Sequence, residues 1–174
     1  MELDLKNIQL LEIVDEDKKE APKLISKLSE NYAPIKDIYH YLQGKSSQYP
    51  NIDFTTMREL FVKKLPVDQH PFRQTQYDVA LREANSMHGR AEELKKNKRP
   101  GFSRFMFMEV CLRMAKLIYS TNAKYDQYND EESCNSDTYF KFAFSMSKAL
   151  DIFFKNILLP FREETKINWQ AFRD

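Results

Sequence analysis

An all-α chain is what this sequence predicts, and three observations carry the expectation. Only three of its 174 residues are glycine, which leaves little for tight hairpins or phosphate-cradling loops. Apolar residues recur at three- and four-residue spacing over most of the length. No segment alternates apolar and polar residues long enough to read as a strand. A chain of this size can bury roughly 70% of its unfolded surface without a disulfide or metal staple. Thirteen Phe and nine Tyr suit large helix–helix contacts.

Residues 1–21 read as an N-terminal docking arm. Its segment "LDLKNIQLLEIV" is too richly apolar for a solvent-exposed helix, so either the body of the chain or a partner must hold it. Residues 22–174 form the helical domain. Pro22 opens a helix with Leu24, Ile25, Leu28 and Tyr32 at helical spacing, and Pro34 opens another with Ile35, Ile38, Tyr39 and Leu42 on one face. "QGKSSQYPNID" is a loop by composition, and "FTTMRELFVKKL" follows as a helix with a threonine-type cap. "TQYDVALREANSM" brings Tyr77, Ala80, Leu81, Ala84 and Met87 together. Ser103 caps "FSRFMFMEVCLRMAKLIY", which is apolar on so many sides that it must be central. "TNAKYDQYNDEESCNSD" is a polar loop, "TYFKFAFSMSKALDIFFKNILL" is a last long helix ended by Pro160, and a further turn or two follows.

Function classes narrow quickly. Twenty-seven basic against 26 acidic residues leave a net charge of +1, which argues against a protein built around nucleic acid, and "KKNKR" reads as a solvated loop. Cys111 and Cys134 have no metal spacing, and Cys111 reads as a buried thiol. His40, His70 and His88 are remote from one another, and neither a nucleophile elbow nor a P-loop is present, so no enzyme and no cofactor is expected. The N-terminus reads as neither signal nor transit peptide, and no apolar run reaches transmembrane length, so a cytoplasmic protein is expected.

A helix–loop–helix calcium site needs oxygen ligands at loop positions one, three, five and twelve, with an apolar eighth residue that bridges to a paired loop. With Ile52 as the eighth residue, Lys45, Ser47 and Tyr49 fall on ligand positions and Thr56 is twelfth. With Phe105 as the eighth, Glu109 is correctly twelfth, but Lys98, Pro100 and Phe102 take the other positions. Asp126, Asp130, Glu131, Glu132 and Asp137 form an acidic cluster that also misses the pattern. No metal site is assigned. Ile52 and Phe105 are nevertheless expected to bridge. Met57, Phe61, Met87 and Met108 either line a partner-binding cleft between the hairpins or belong to the core. Trp169 and Phe172 are further candidate anchors for a partner.

Three stretches, "LSENYAPIKDIYHYL" with "IDFTTMRELF", then "FSRFMFMEVCLRMAKLIY", then "SKALDIFFKNILLP" with "INWQAFRD", resemble a degenerate EF-hand-like family of ciliated and flagellated protists. The resemblance implies a calmodulin-like pair of helix–loop–helix units without intact calcium ligands, used as an interaction module in cilium-associated proteins. The expectation is a non-catalytic structural subunit of a larger intracellular assembly, axonemal or microtubule-associated, in the cilium or cytoskeleton. The alternatives are a calcium-responsive regulator with ligands at irregular positions and an accessory subunit of a divergent mitochondrial membrane complex.

Overall fold

In the computed structural model, which describes residues 2–14, 18–64, 74–86, 95–96, 99–120 and 145–170, every regular element among those residues is a helix. Two short turns, α1 (Glu2–Lys6) and α2 (Leu10–Ile13), open the chain. Helices α3 (Glu20–Glu30) and α4 (Tyr32–Lys45) follow, parted at Asn31, whose amide donates to the Lys27 carbonyl at 2.9 Å. Pro22 and Pro34 lie in the first turns of these helices, where a missing N–H breaks no helical bond. Helix α4 runs on through Gln43, Gly44 and Lys45, where composition predicts loop.

Next come α5 (Phe54–Lys64), α6 (Gln74–Asn85) and α7 (Arg104–Ala115), the last continuing into a π-helical turn, Lys116–Ser120. Helix α8 (Met146–Phe153) passes through a second π-helical turn, Phe154–Leu158, into α9 (Leu159–Gln170). Pro160 therefore does not end the last helix as its sequence context predicts. It stands just after the π turn, where widened hydrogen-bond spacing accommodates a residue with no N–H.

Helix α7 is the axis of the molecule. Ten of its twelve residues are buried, and α1, α4, α6 and α8 all pack against it. Ring contacts knit the surrounding helices: Phe61 of α5 meets Tyr77 of α6 at 5.7 Å and Phe153 of α8 at 6.2 Å. At the far side Arg162 of α9 pairs with Asp37 of α4, and Phe161 packs on Tyr41. Each such buried aromatic or aliphatic side chain contributes on the order of 1.5–3 kcal/mol.

The arm finds its partner within the chain. Ile8, Leu10, Ile13 and Val14 are buried in the common core, and Asp4 accepts hydrogen bonds from Tyr32 of α4 (3.0 Å) and Arg104 of α7 (2.8 Å). No helix among the described residues is long and apolar enough to cross a membrane.

Two glycines separate tolerance from requirement. Gly101 has φ +82°, and a Cβ there would lie 2.5 Å from the Ile52 carbonyl oxygen. Gly44 has open space around it in α4. Gly101→Ala is expected to cost about 2 kcal/mol or more. Gly44→Ala is expected to gain roughly 0.5 kcal/mol. Urea denaturation of the two variants checks the opposite signs.

Candidate functional site

The two inter-helix loops meet in an antiparallel bridge. Ile52 N–H donates to the Phe102 carbonyl at 3.0 Å, and Phe102 N–H donates back to Ile52 at 2.7 Å. Ile52 takes the expected place, but its partner is Phe102 and not Phe105. The left-handed turn at Gly101 presents the Phe102 backbone to Ile52, whereas Phe105 already lies within α7. The register thus moves by three residues, and Glu109 leaves the twelfth loop position that the Phe105 alignment gave it. A signal for the true register was present as a short internal repeat: "PNID" (residues 50–53) and "PGFS" (residues 100–103) align proline, turn residue, bridge residue and helix cap.

The first loop is stitched by Asp53. One carboxylate oxygen accepts from Thr56 N–H at 2.7 Å as the cap of α5; the other accepts from Ser47 N–H at 2.8 Å and from the Ser46 and Ser47 hydroxyls. The cap is therefore aspartate, not threonine. Burial opposes ionisation of Asp53, but these hydrogen bonds outweigh it and hold the carboxyl down at about 2. Tyr39 shares its hydroxyl proton between the carbonyls of Pro50 (3.1 Å) and Phe102 (3.4 Å), and burial raises its own pKa to about 12. Asn51 donates across to Pro100 at 2.8 Å. Ser103, at the equivalent cap position of α7, makes no side-chain capping bond, and its buried hydroxyl is unpartnered.

Glu109, fully buried, bonds Arg113 one turn on at 3.1 Å. The same guanidinium reaches Glu83 of α6 at 2.7 Å and Glu12 at the arm's α2 at 2.9 Å, so one cation fastens three segments. Beside it an open cleft of about 280 Å³ lies between α2, α6 and the end of α7, with Val79, Ala80, Leu117 and Lys116 among its walls.

Of the candidate partner-binding residues, Met57, Phe61 and Met108 are completely buried in the core and present no surface. Met87 and Phe172 lie outside the described residues, as does the side chain of Trp169, which stands in α9. The acidic stretch 126–137, Cys134, His70 and His88 also lie outside them. Cys111 is buried, and burial pushes its thiol well above the usual range, which suppresses the thiolate. The cleft beside Arg113 was not foreseen, because its walls come from segments 30 and 101 residues from Arg113 in the chain.

No family model, curated protein or solved structure matches this chain.

Asp53→Ala is expected to cost about 2 kcal/mol, whereas Ser103→Ala should be near neutral, because one removes a working cap and the other an idle hydroxyl. With its folded-state pKa below its unfolded value, ionised Asp53 stabilises the fold above about pH 4, and that contribution is lost as pH falls toward 2. Urea midpoints across that window should fall less steeply in Asp53→Asn. Arg113→Met should cost about 3–5 kcal/mol by leaving Glu109 buried without its guanidinium. Adding Glu109→Gln to that variant should recover part of the loss in the same denaturation assay.

Proposed function

We propose that this chain is a non-catalytic structural or interaction subunit of a larger assembly, built on a pseudo-EF-hand pair that works without calcium. One observation carries the reading. Ile52 and Phe102, each just ahead of a helix, are joined by reciprocal backbone hydrogen bonds, while the neighbouring carboxylate of Asp53 already serves Ser46, Ser47 and Thr56, which supports a paired helix–loop–helix reading. A carboxylate so engaged is poorly placed to coordinate a cation, which needs several convergent oxygens. With the bridge residues in the eighth position, the chain carries Lys45 and Lys95 at the first position of the loops and Tyr49 and Arg99 at the fifth. Glu109 is paired with Arg113. The sequence resemblance adds the kind of assembly: axonemal or microtubule-associated.

Calorimetric titration with calcium, alongside melting curves in calcium and in chelator, tests the scaffold. No heat and an unchanged melting temperature are expected. Micromolar binding would overturn the calcium-free reading and turn attention to the acidic stretch 126–137. Co-sedimentation with polymerised microtubules tests the assembly. Saturable pelleting is expected, and a chain that stays in the supernatant at every microtubule concentration removes that part of the proposal.

A further inference from the structure

Where a calcium loop turns oxygens toward its ion, the two bridged loops carry cations and a tyrosine. With Ile52 and Phe102 in the eighth position, the first and fifth positions are Lys45 and Tyr49 in one loop and Lys95 and Arg99 in the other, and all four are exposed. Tyr49 is 74% exposed; Phe54, just past the bridge, is 40% exposed, with its ring 4.7 Å from that of Phe102. The loops touch at this end. Asn51 donates to the carbonyls of Pro100 at 2.8 Å and Arg99 at 3.4 Å, and the Gln48 amide oxygen lies 2.7 Å from where a Cβ on Gly101 would stand. Tyr49 lies between Gln48 and Asn51 in the chain, so it belongs to the stretch that meets residues 99–101.

Charge at this end is one-sided. Among the described residues of 44–54 and 95–103, Lys45, Lys95, Lys96 and Arg99 are the cations, and Asp53 is the sole acid. Asp53 is buried and its oxygens are taken by Ser46, Ser47 and Thr56, so it offers the surface no offsetting carboxylate. The basic run reads as merely solvated in sequence because its nearest aromatic, Phe102, is buried; the fold brings it Tyr49 and Phe54 from the other loop. Tyr49 is also held in advance, since Tyr39 bonds the Pro50 carbonyl and Asp53 gathers Ser46 and Ser47. A ring fixed before binding loses little freedom on contact.

The surroundings of Tyr49 select the class of partner. Exposed Gly44, Ser47 and Gln48 accompany it, a make-up suited to peptides: the ring supplies contact area, and hydroxyl and amide groups bond to peptide groups. A nucleic-acid strand is served by successive stacking rings, whereas here one ring is largely free and Phe54 packs on Phe102. A membrane surface is served by an apolar face, whereas Tyr49 follows Ser47 and Gln48. We infer that the paired-loop end, Lys45, Tyr49, Lys95, Lys96 and Arg99, is a docking surface for an acidic peptide segment of a partner protein. The cations meet its carboxylates, and Tyr49 packs on its side chains. The inference rests on the interaction-subunit reading and supplies its contact surface.

The test uses the full-length chain and a fluorescein-labelled oligoglutamate peptide containing tyrosine, read by anisotropy. Saturable binding that weakens with salt is expected. Lys95→Glu/Lys96→Glu/Arg99→Glu and, separately, Tyr49→Ser should each weaken it about tenfold or more, with melting temperatures unchanged. Lys18→Glu/Lys19→Glu/Lys155→Glu, the same change of charge at exposed lysines on other segments, should bind as the unmodified chain does. No binding, equal binding by all variants, or equal loss in the two triple variants overturns the proposal. Tighter binding to polyuridylate or to phosphatidylserine vesicles than to the peptide also overturns it, in favour of a nucleic acid or a membrane. The microtubule assignment fails separately: peptide binding without microtubule pelleting leaves the surface standing, and pelleting that survives the loop variants leaves the assembly standing without this surface.

Discussion

A helix buried on nearly every side must still carry whatever charge its sequence contains, and in α7 the fully buried charged residue is Glu109. A carboxylate at zero exposure costs several kcal/mol unless a cation and hydrogen bonds compensate it. Arg113, one turn away, supplies both. Its planar fork has donors to spare after meeting Glu109, and those donors collect Glu83 and Glu12. Lysine in its place would present a single point charge and could not hold three segments in fixed directions. The residue that neutralises one buried side chain thus also ties α6 and the arm to α7.

The loops solve a related problem by different means. Chain entering and leaving a helix carries unpaired N–H and carbonyl groups, and a calcium-binding loop gathers much of its backbone around the ion. Here Asp53 gathers the first loop, and Tyr39, Gln43 and Asn51 take up carbonyls at Pro50 and Pro100. Among the described residues the second loop has no equivalent of Asp53, since Ser103 leaves its hydroxyl idle. Its described residues meet the first loop through the bridge at Phe102 and the close approach at Gly101.

What could be read from the sequence was what is encoded locally. Helical spacing placed Leu24, Leu28, Ile35, Ile38 and Leu42 in the core, and the all-round apolarity of residues 105–115 made that helix central; burial agrees on each. The Met57–Phe61 stripe was ambiguous because helical spacing marks a face that must be covered without saying by what. Phe153 and Tyr77 cover Phe61, and both lie far along the chain. The bridge register slipped because a calcium template anchored on Glu109 outweighed the plainer proline–turn–apolar–cap repeat. Pro160 misled because its usual effect assumes α-helical hydrogen bonding before it, and a π turn replaces that bonding. Arg113's hold on Glu12 and Glu83 was illegible for the same reason as the covered stripe: neither lies near it in sequence.

The means by which the loops are ordered also constrains where regulation can act. A loop organised around calcium couples its fold to the ion's concentration, and a loop organised by histidine couples it to pH near neutrality. Asp53, held near 2, stays ionised throughout the range in which cells operate, so its loop has no such input. The buried α7 core offers none either, since Glu109 cannot lose Arg113 without a large cost.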